Sequence, residues 1–205
     1  MLTATDLECI RGNRRLFSGI SLAVEPGTVL RIEGANGSGK TSLMRMICGL
    51  AKPERGEIRW RERCIDELGE EYRAEVAYLG HANGVKDELS VIENLRVSAR
   101  LAGDAISEED ACTALRQLGM AGREDLPAKV LSQGQKRRVA LARFLATRKP
   151  LWLLDEPVAS LDSQAVEFLE TMLEAHLARG GMVLLTTHQS LCTRSASTRC
   201  LRLGS

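Results

Sequence analysis

The residues best suited to chemistry fall in four short stretches of the chain. The first, 34–41, reads Gly-Ala-Asn-Gly-Ser-Gly-Lys-Thr and fits G-x-x-x-x-G-K-[ST] at every fixed position. Gly34, Gly37 and Gly39 let the backbone turn tightly, so that successive N–H groups, those of Ala35, Asn36 and Ser38 included, point at one anion. Lys40 brings a point charge suited to β- and γ-phosphates, and the Thr41 hydroxyl suits Mg²⁺. Ser42 follows in the first turn of a helix whose dipole aims its positive end at the same anion. The ligand this pattern predicts is a nucleoside triphosphate.

The second stretch, Leu-Trp-Leu-Leu-Asp-Glu-Pro at 151–157, is an apolar run ending in two carboxylates. Beside a phosphate loop, Asp155 suits the carboxylate of a Mg²⁺ site, and Glu156 suits a general base that polarises the attacking water. Paired acids at a strand end are more often a solvated exit, but Lys40 upstream in the expected order favours the chemical role. The third stretch, Leu-Ser-Gln-Gly-Gln at 131–135, sets Ser132 and Gln135 at capping-box spacing. Gly134 keeps the first turn bare of side chain, and a bare helix N-terminus is an anion site that need not serve the chain's own nucleotide. Lys136, Arg137 and Arg138 add positive charge. Taken alone, this stretch is equally a well-capped amphipathic helix. The fourth, 182–188, is an apolar run with a polar tip, Thr-Thr-His, that ends on His188.

The elements around these stretches follow from pattern. A β-rich run over 28–33 and an apolar-periodic helix to about Gly49 flank the phosphate loop in the required order of strand, loop, helix. Segments 2–10 and 16–24 read as strands joined by a polar turn, with further strands at 56–60, 75–79 and 198–203. The mostly polar stretch 61–72 reads as a solvated connection. Ser90 and Ser107 sit at capping positions before helices over 91–101 and 108–118, the second box weaker because Asp110 replaces Glu or Gln. An amphipathic helix over 165–178 stops at Gly180 and Gly181.

Bulk properties bound the rest. A chain of 205 residues buries one good core, and a net charge of +1 gives no global field toward nucleic acid or anionic lipid. No stretch approaches the roughly 18 apolar residues that span a bilayer. The start lacks the features of a signal peptide and reads Met-Leu rather than Met-Gly, so neither export of the chain nor a direct lipid anchor is expected. Cysteines at 9, 48, 64, 112, 192 and 200 form no Cys-x-x-Cys pair and read as small core residues.

The phosphate loop, Leu-Ser-Gln-Gly-Gln, Leu-Leu-Asp-Glu-Pro, Ser160-Leu161-Asp162 and the strand-end His188, in this order, resemble the ATPase subunits of ABC transporters over nearly the whole chain. The resemblance implies an α/β P-loop NTPase of ABC ATPase type. Its parts would be a mixed or parallel sheet core, an N-terminal antiparallel β-subdomain and an inserted helical subdomain. One domain would cover 1–205, with 1–81 and 129–205 as nucleotide-binding body and 82–128 as the helical part. It also implies two copies, head to tail, sandwiching two ATP molecules with Mg²⁺. Lys40 of one copy, and Ser132, Gly134 and Gln135 of the other, would face the same γ-phosphate. By the same pattern His188 is the switch residue touching that phosphate, and Asp162 crosses the dimer interface. Many members stack an aromatic ring on adenine, whereas the corresponding turn here carries Arg11, Gly12 and Asn13, and the Arg11 guanidinium can stack instead. His81 stands where the family has a glutamine that reaches the Mg²⁺ site.

The stretch 78–95, Tyr-Leu-Gly-His-Ala-Asn-Gly-Val-Lys-Asp-Glu-Leu-Ser-Val-Ile-Glu-Asn-Leu, narrows the resemblance. With Leu-Trp-Leu-Leu-Asp-Glu-Pro and Leu-Thr-Thr-His-Gln it is similar to the ATP-binding export subunits of cytochrome c biogenesis. That implies ATP hydrolysis to ADP and phosphate on the cytoplasmic face of a bacterial inner membrane. An integral membrane permease would be the partner, with haem export or release to a haem chaperone as the output. No residue reads as a haem ligand. The alternatives are the ATPase of a transporter for another substrate, a soluble ABC ATPase acting on ribosomes or DNA, and a nucleotide-binding regulator without hydrolysis. Two cassettes in one chain or a long coiled-coil insertion would mark the soluble class, and neither is present. The intact set Lys40, Asp155, Glu156 and His188 argues against the regulator.

Overall fold

The computed structural model describes residues 1–187, 191 and 197–204. Strand β1 (Leu2–Arg11) turns through Gly12 and Asn13 into the antiparallel β2 (Arg14–Val24), and β3 (Thr28–Glu33) feeds the phosphate loop and helix α1 (Lys40–Ile47). Next come β4 (Arg55–Trp60), β5 (Arg63–Cys64), α2 (Ile65–Leu68), α3 (Glu70–Ala74) and β6 (Val76–Leu79). Helices α4 (Val91–Leu101), α5 (Glu108–Gln117) and α6 (Gln133–Ala146) precede β7 (Leu151–Asp155), α7 (Ser163–Ala178), β8 (Met182–Thr186) and β9 (Ser197–Arg202). The strands make two sheets, one antiparallel with order β2-β1-β4-β5, the other parallel with order β6-β7-β8-β3-β9.

The second sheet is covered on both faces, and this explains its unbroken apolar runs. In β7, Leu151 and Leu153 face a core built with α1 and the antiparallel sheet, while Trp152 and Leu154 face a core built with α4, α5, α6 and α7. In β8, Leu184 joins the first core and Val183 and Leu185 the second. Every residue of both strands is buried. Truncating one of these leucines to alanine costs about 2–5 kcal/mol.

Two of the three predicted capping boxes are fully formed. Ser90 accepts from the Glu93 N–H and Glu93 accepts from the Ser90 N–H, and Ser132 and Gln135 do the same at α6. At α5 only half of the box forms: Ser107 accepts from the Asp110 N–H and donates to the Asp110 carboxylate, since the shorter side chain does not return to the Ser107 backbone.

Two expectations are overturned. Cys200, on β9, is exposed rather than a small core residue, although Cys9 and Cys48 are buried as expected. Residues 61–72 are not a solvated connection but β5, α2 and the start of α3, with Ile65, Leu68 and Tyr72 buried. The Tyr72 ring packs against Trp60 and its hydroxyl donates to the Ile47 carbonyl at 2.5 Å, satisfying one of the orphan acceptors at the end of α1. The apolar positions 65, 68 and 72 keep helical spacing beneath a charged outer face, so composition hid what periodicity carried.

Candidate active site

Because the second sheet is parallel, the C-terminal ends of β3, β6, β7 and β8 open on one edge, where open α/β sheets bind ligands. The phosphate loop leaves β3 at that edge. Gly34 has φ +154°, and a Cβ there would lie 2.6 Å from Ser38 Oγ and 2.7 Å from the Leu203 carbonyl oxygen. Gly39 caps α1 at φ +100°, where a Cβ would meet the Phe17 ring at 2.9 Å. Neither position admits a side chain, so the loop stays tight. Lys40 Nζ donates to the carbonyls of Gly34 at 2.7 Å and Ala35 at 3.1 Å, closing the loop on itself with a cation. Ser38 Oγ is buried and, among the described residues, has no hydrogen-bond partner. Such an unmade bond costs about 1–3 kcal/mol, and a phosphate oxygen in the loop would supply it.

Thr41 Oγ1 donates to Asp155 Oδ2 at 2.8 Å, and Thr186 Oγ1 donates to Asp155 Oδ1 at 2.6 Å. The carboxylate is thereby held from both sides, once by the phosphate-loop helix and once by β8. Sheet register makes this unavoidable, because Thr186 is paired with Asp155 on one side and with Ile32 on the other. Glu156 follows at φ +49°, the left-handed region that a side chain strains to occupy. Its N–H donates to both the carbonyl (3.1 Å) and Oγ1 (3.0 Å) of Thr186. Thr41 and Asp155 together offer hard oxygens at hydrogen-bonding distance, the donor set that suits Mg²⁺, an ion that takes few protein ligands and keeps several waters. His81 is exposed and makes no hydrogen bond with Thr41 or Asp155.

Thr186 was not singled out by sequence reasoning. Its signal is a polar residue at 0% exposure ending an otherwise apolar strand. His188 lies outside the described residues.

At the start of α6 the side chains of Ser132 and Gln135 are spent on the cap, and the N–H groups of Gln133 and Gly134 belong to the first turn, where no intrahelical partner exists. Gly134 is required for a reason the sequence did not show: a Cβ there would lie 2.5 Å from the Ser160 carbonyl oxygen. Asp162 caps α7 by accepting from the Ala165 N–H at 2.9 Å and takes a fork from Arg138 Nη2 at 2.7 and 2.6 Å. The Ala165 N–H first, and Arg138 second, hold its carboxyl below the usual carboxylate range. Segment 160–162 is thus packed against the first two turns of α6 within one chain. Arg11 ends β1, exposed at the hairpin turn.

Residues 17–159 match the ABC transporter family. A cytochrome c biogenesis ATP-binding export protein, CcmA, of Nitrosomonas europaea is 56% identical over 204 residues, covering 100% of this chain and 96% of the relative. The protein of the same name in Vibrio parahaemolyticus is 43% identical over 204 residues, covering 100% of each. Among solved structures, a putative ABC transporter ATP-binding protein from Pyrococcus furiosus superposes with a TM-score of 0.83 at 27% identity, covering 98% of this chain and 96% of that one. A dimeric ATP-binding cassette in a post-hydrolysis state, bound to ADP and Pi, superposes with a TM-score of 0.86 at 25% identity, covering 99% and 94%.

Proposed function

The chain belongs to the ABC transporter family and, within it, to the cytochrome c biogenesis ATP-binding export proteins, and on that premise we propose that it hydrolyses ATP to drive an integral membrane permease in cytochrome c maturation. The observation that carries the reading is the line of contacts from Thr41 through Asp155 to Thr186, which joins the phosphate loop to the carboxylate strand.

Residues 34–42 wrap the triphosphate with backbone N–H groups, and Lys40 releases its loop carbonyls for the β- and γ-phosphates. Thr41 and Asp155 hold Mg²⁺, which supplies charge neutralisation on the phosphates when bound. Glu156 accepts a proton from the attacking water. Its strained backbone, pinned by Thr186, fixes where the carboxylate leaves the strand. His188 contacts the γ-phosphate, His81 approaches the metal site on the 80–83 loop, and Arg11 stacks on the base.

Two copies assemble head to tail, so that Ser132, Gly134 and Gln135 of one meet the nucleotide on Lys40 of the other, with Asp162 at the interface. The dimeric neighbour with ADP and Pi supports this arrangement. Among the described residues no helix is long and apolar enough to cross a membrane. Residues 82–128 form the helical part that meets the permease: α4 exposes Val97 and, one turn on, Leu101 at 84% exposure, an apolar pair available for a protein contact. On this reading the chain sits peripherally on the cytoplasmic face of the inner membrane, with haem export or release to a haem chaperone as output.

The test is co-expression with the permease, gentle detergent extraction and a haem spectrum of the complex. The chain should sediment with membranes only with its permease, and the extracted complex should show haem absorption. Binding of the lone chain to lipid vesicles, or a complex with no membrane protein, contradicts the assignment.

A further inference from the structure

One guanidinium joins three parts of the site. Arg137, in the second turn of α6, is 2% exposed. Its Nε donates to the Pro157 carbonyl at 3.1 Å, and Nη1 donates to the Gly80 carbonyl at 2.9 Å and to Asn83 Oδ1 at 3.0 Å. Nη2 donates to the carbonyls of Asp155 at 2.9 Å and Glu156 at 2.6 Å. All five donors of the fork are used, and all go to neutral oxygens, so this is not an ion pair kept for its charge. Burial lowers its pKa to about 10, with Asp155 opposing the shift, and the group stays charged at neutral pH. Burying a cation is costly, and an apolar side chain would pack the same space without that cost. What only the planar fork supplies is simultaneous hold on several backbone groups at fixed angles.

We propose that Arg137 is the positioning residue of the carboxylate pair. It pins the backbone at 155–157, which sets the direction in which Glu156 leaves the strand. The same fork holds Gly80, next to His81, so a displacement of the 80–83 loop is passed directly to the Glu156 carbonyl. Because Arg137 rides on α6, the helix whose N-terminus carries the second anion site, movement there reaches Glu156 by the same link. The role rests on the assignment of Asp155 and Glu156 to hydrolysis, and the test separates the two.

Three full-length variants are compared with wild type: Arg137→Lys, Asn83→Ala and the double substitution. Phosphate release is followed against ATP concentration, nucleotide affinity is read with a fluorescent ATP analogue, and thermal melting is recorded. Arg137→Lys keeps the charge and loses the fork. It should lower kcat by about tenfold or more with KM and nucleotide affinity within about twofold of wild type. Asn83→Ala, which leaves the bonds to Asp155 and Glu156 intact, should lower kcat by a smaller factor with melting unchanged. The double variant should be no worse than Arg137→Lys, since both cut one link. An unchanged kcat in Arg137→Lys overturns the proposal. So does a parallel fall of kcat, affinity and melting temperature, which marks a role in the general fold. Should Arg137→Lys fail to fold, Asn83→Ala decides, and an unchanged kcat there overturns the link. If wild type releases no phosphate, the proposed function falls and this role with it; if wild type hydrolyses and Arg137→Lys is unimpaired, only this role falls.

Discussion

Thr186→Val removes the hydroxyl by which β8 holds Asp155. Valine matches threonine in size, so no cavity opens in a strand whose neighbours are fully packed. The Thr186 carbonyl still accepts from the Glu156 N–H at 3.1 Å, and Thr41 still holds Asp155 Oδ2 at 2.8 Å. What disappears is the 2.6 Å bond from Oγ1 to Asp155 Oδ1, leaving one oxygen of a carboxylate at 3% exposure without this donor, together with the 3.0 Å branch of the shared Glu156 N–H bond that ends on Oγ1. A hydrogen bond to a charged group contributes about 1.5–3 kcal/mol. For a domain of this size each kcal/mol moves the melting temperature by about 2–4 °C, so the variant should melt roughly 3–12 °C lower. Hydrolysis should slow as well, by about tenfold, because the carboxylate has lost one of two orienting contacts. Melting by circular dichroism and a phosphate-release assay read both effects, with Thr186→Ser as the control that restores the hydroxyl and most of each loss. Wild-type melting and turnover in Thr186→Val would show that Asp155 is positioned by something else, and the geometric account of the site would fail.

Three further outcomes follow from contacts elsewhere. Gly134→Ala places a Cβ against the Ser160 carbonyl oxygen, 2.5 Å away in the unrelaxed structure; hydrolysis should fall by about tenfold or more while affinity for the nucleotide held by Lys40 changes less than about twofold, and full activity would mean that segment 158–162 yields freely. Tyr72→Phe deletes the hydroxyl bonded to the Ile47 carbonyl at 2.5 Å, for an expected loss of about 1–2 kcal/mol in denaturant unfolding, and a neutral result would deny that residues 61–72 brace α1. His176 is stacked on Trp152 at 3.8 Å and burial lowers its pKa to about 4. The unfolded chain takes up that proton below about pH 6.5 while the native ring refuses it, so stability should decline as pH falls from about 6.5 toward 4, on the order of 2–3 kcal/mol by pH 4.5. His176→Gln should flatten that slope, and equal slopes in the two proteins would place the acid sensitivity elsewhere.

The parts of the fold legible in the sequence are those governed by local rules. The boxes at Ser90 and Ser132 are short-range exchanges in which each side chain accepts from the backbone N–H of the residue three positions away, and both form as spaced. The apolar run before Asp155 reads as a strand buried on both faces, and its alternation between two cores bears this out. The phosphate loop announces itself because its glycines answer to backbone geometry, φ +154° at Gly34 and +100° at Gly39, although the close approaches of Leu203 and Phe17 to those positions come from distant segments. Thr186, Arg137 and the Gly134–Ser160 approach were hidden for the opposite reason. Each acquires its role from residues 18 to 57 positions away along the chain or from a neighbouring strand, so nothing local marks it. Asp162 was nearer to legible, since an Asp directly before an apolar-periodic helix is a capping signal, and it does cap α7.

The central claim, hydrolysis of ATP with Glu156 as base, is tested most directly by phosphate release from saturating Mg-ATP by wild type and by Glu156→Gln in parallel. Glutamine keeps the size and the left-handed backbone position of a residue whose N–H is bonded to Thr186, and removes only the ability to take a proton. Wild type should release phosphate, and Glu156→Gln should do so at least about 100-fold more slowly while still binding ATP. Equal rates in the two proteins would contradict the account.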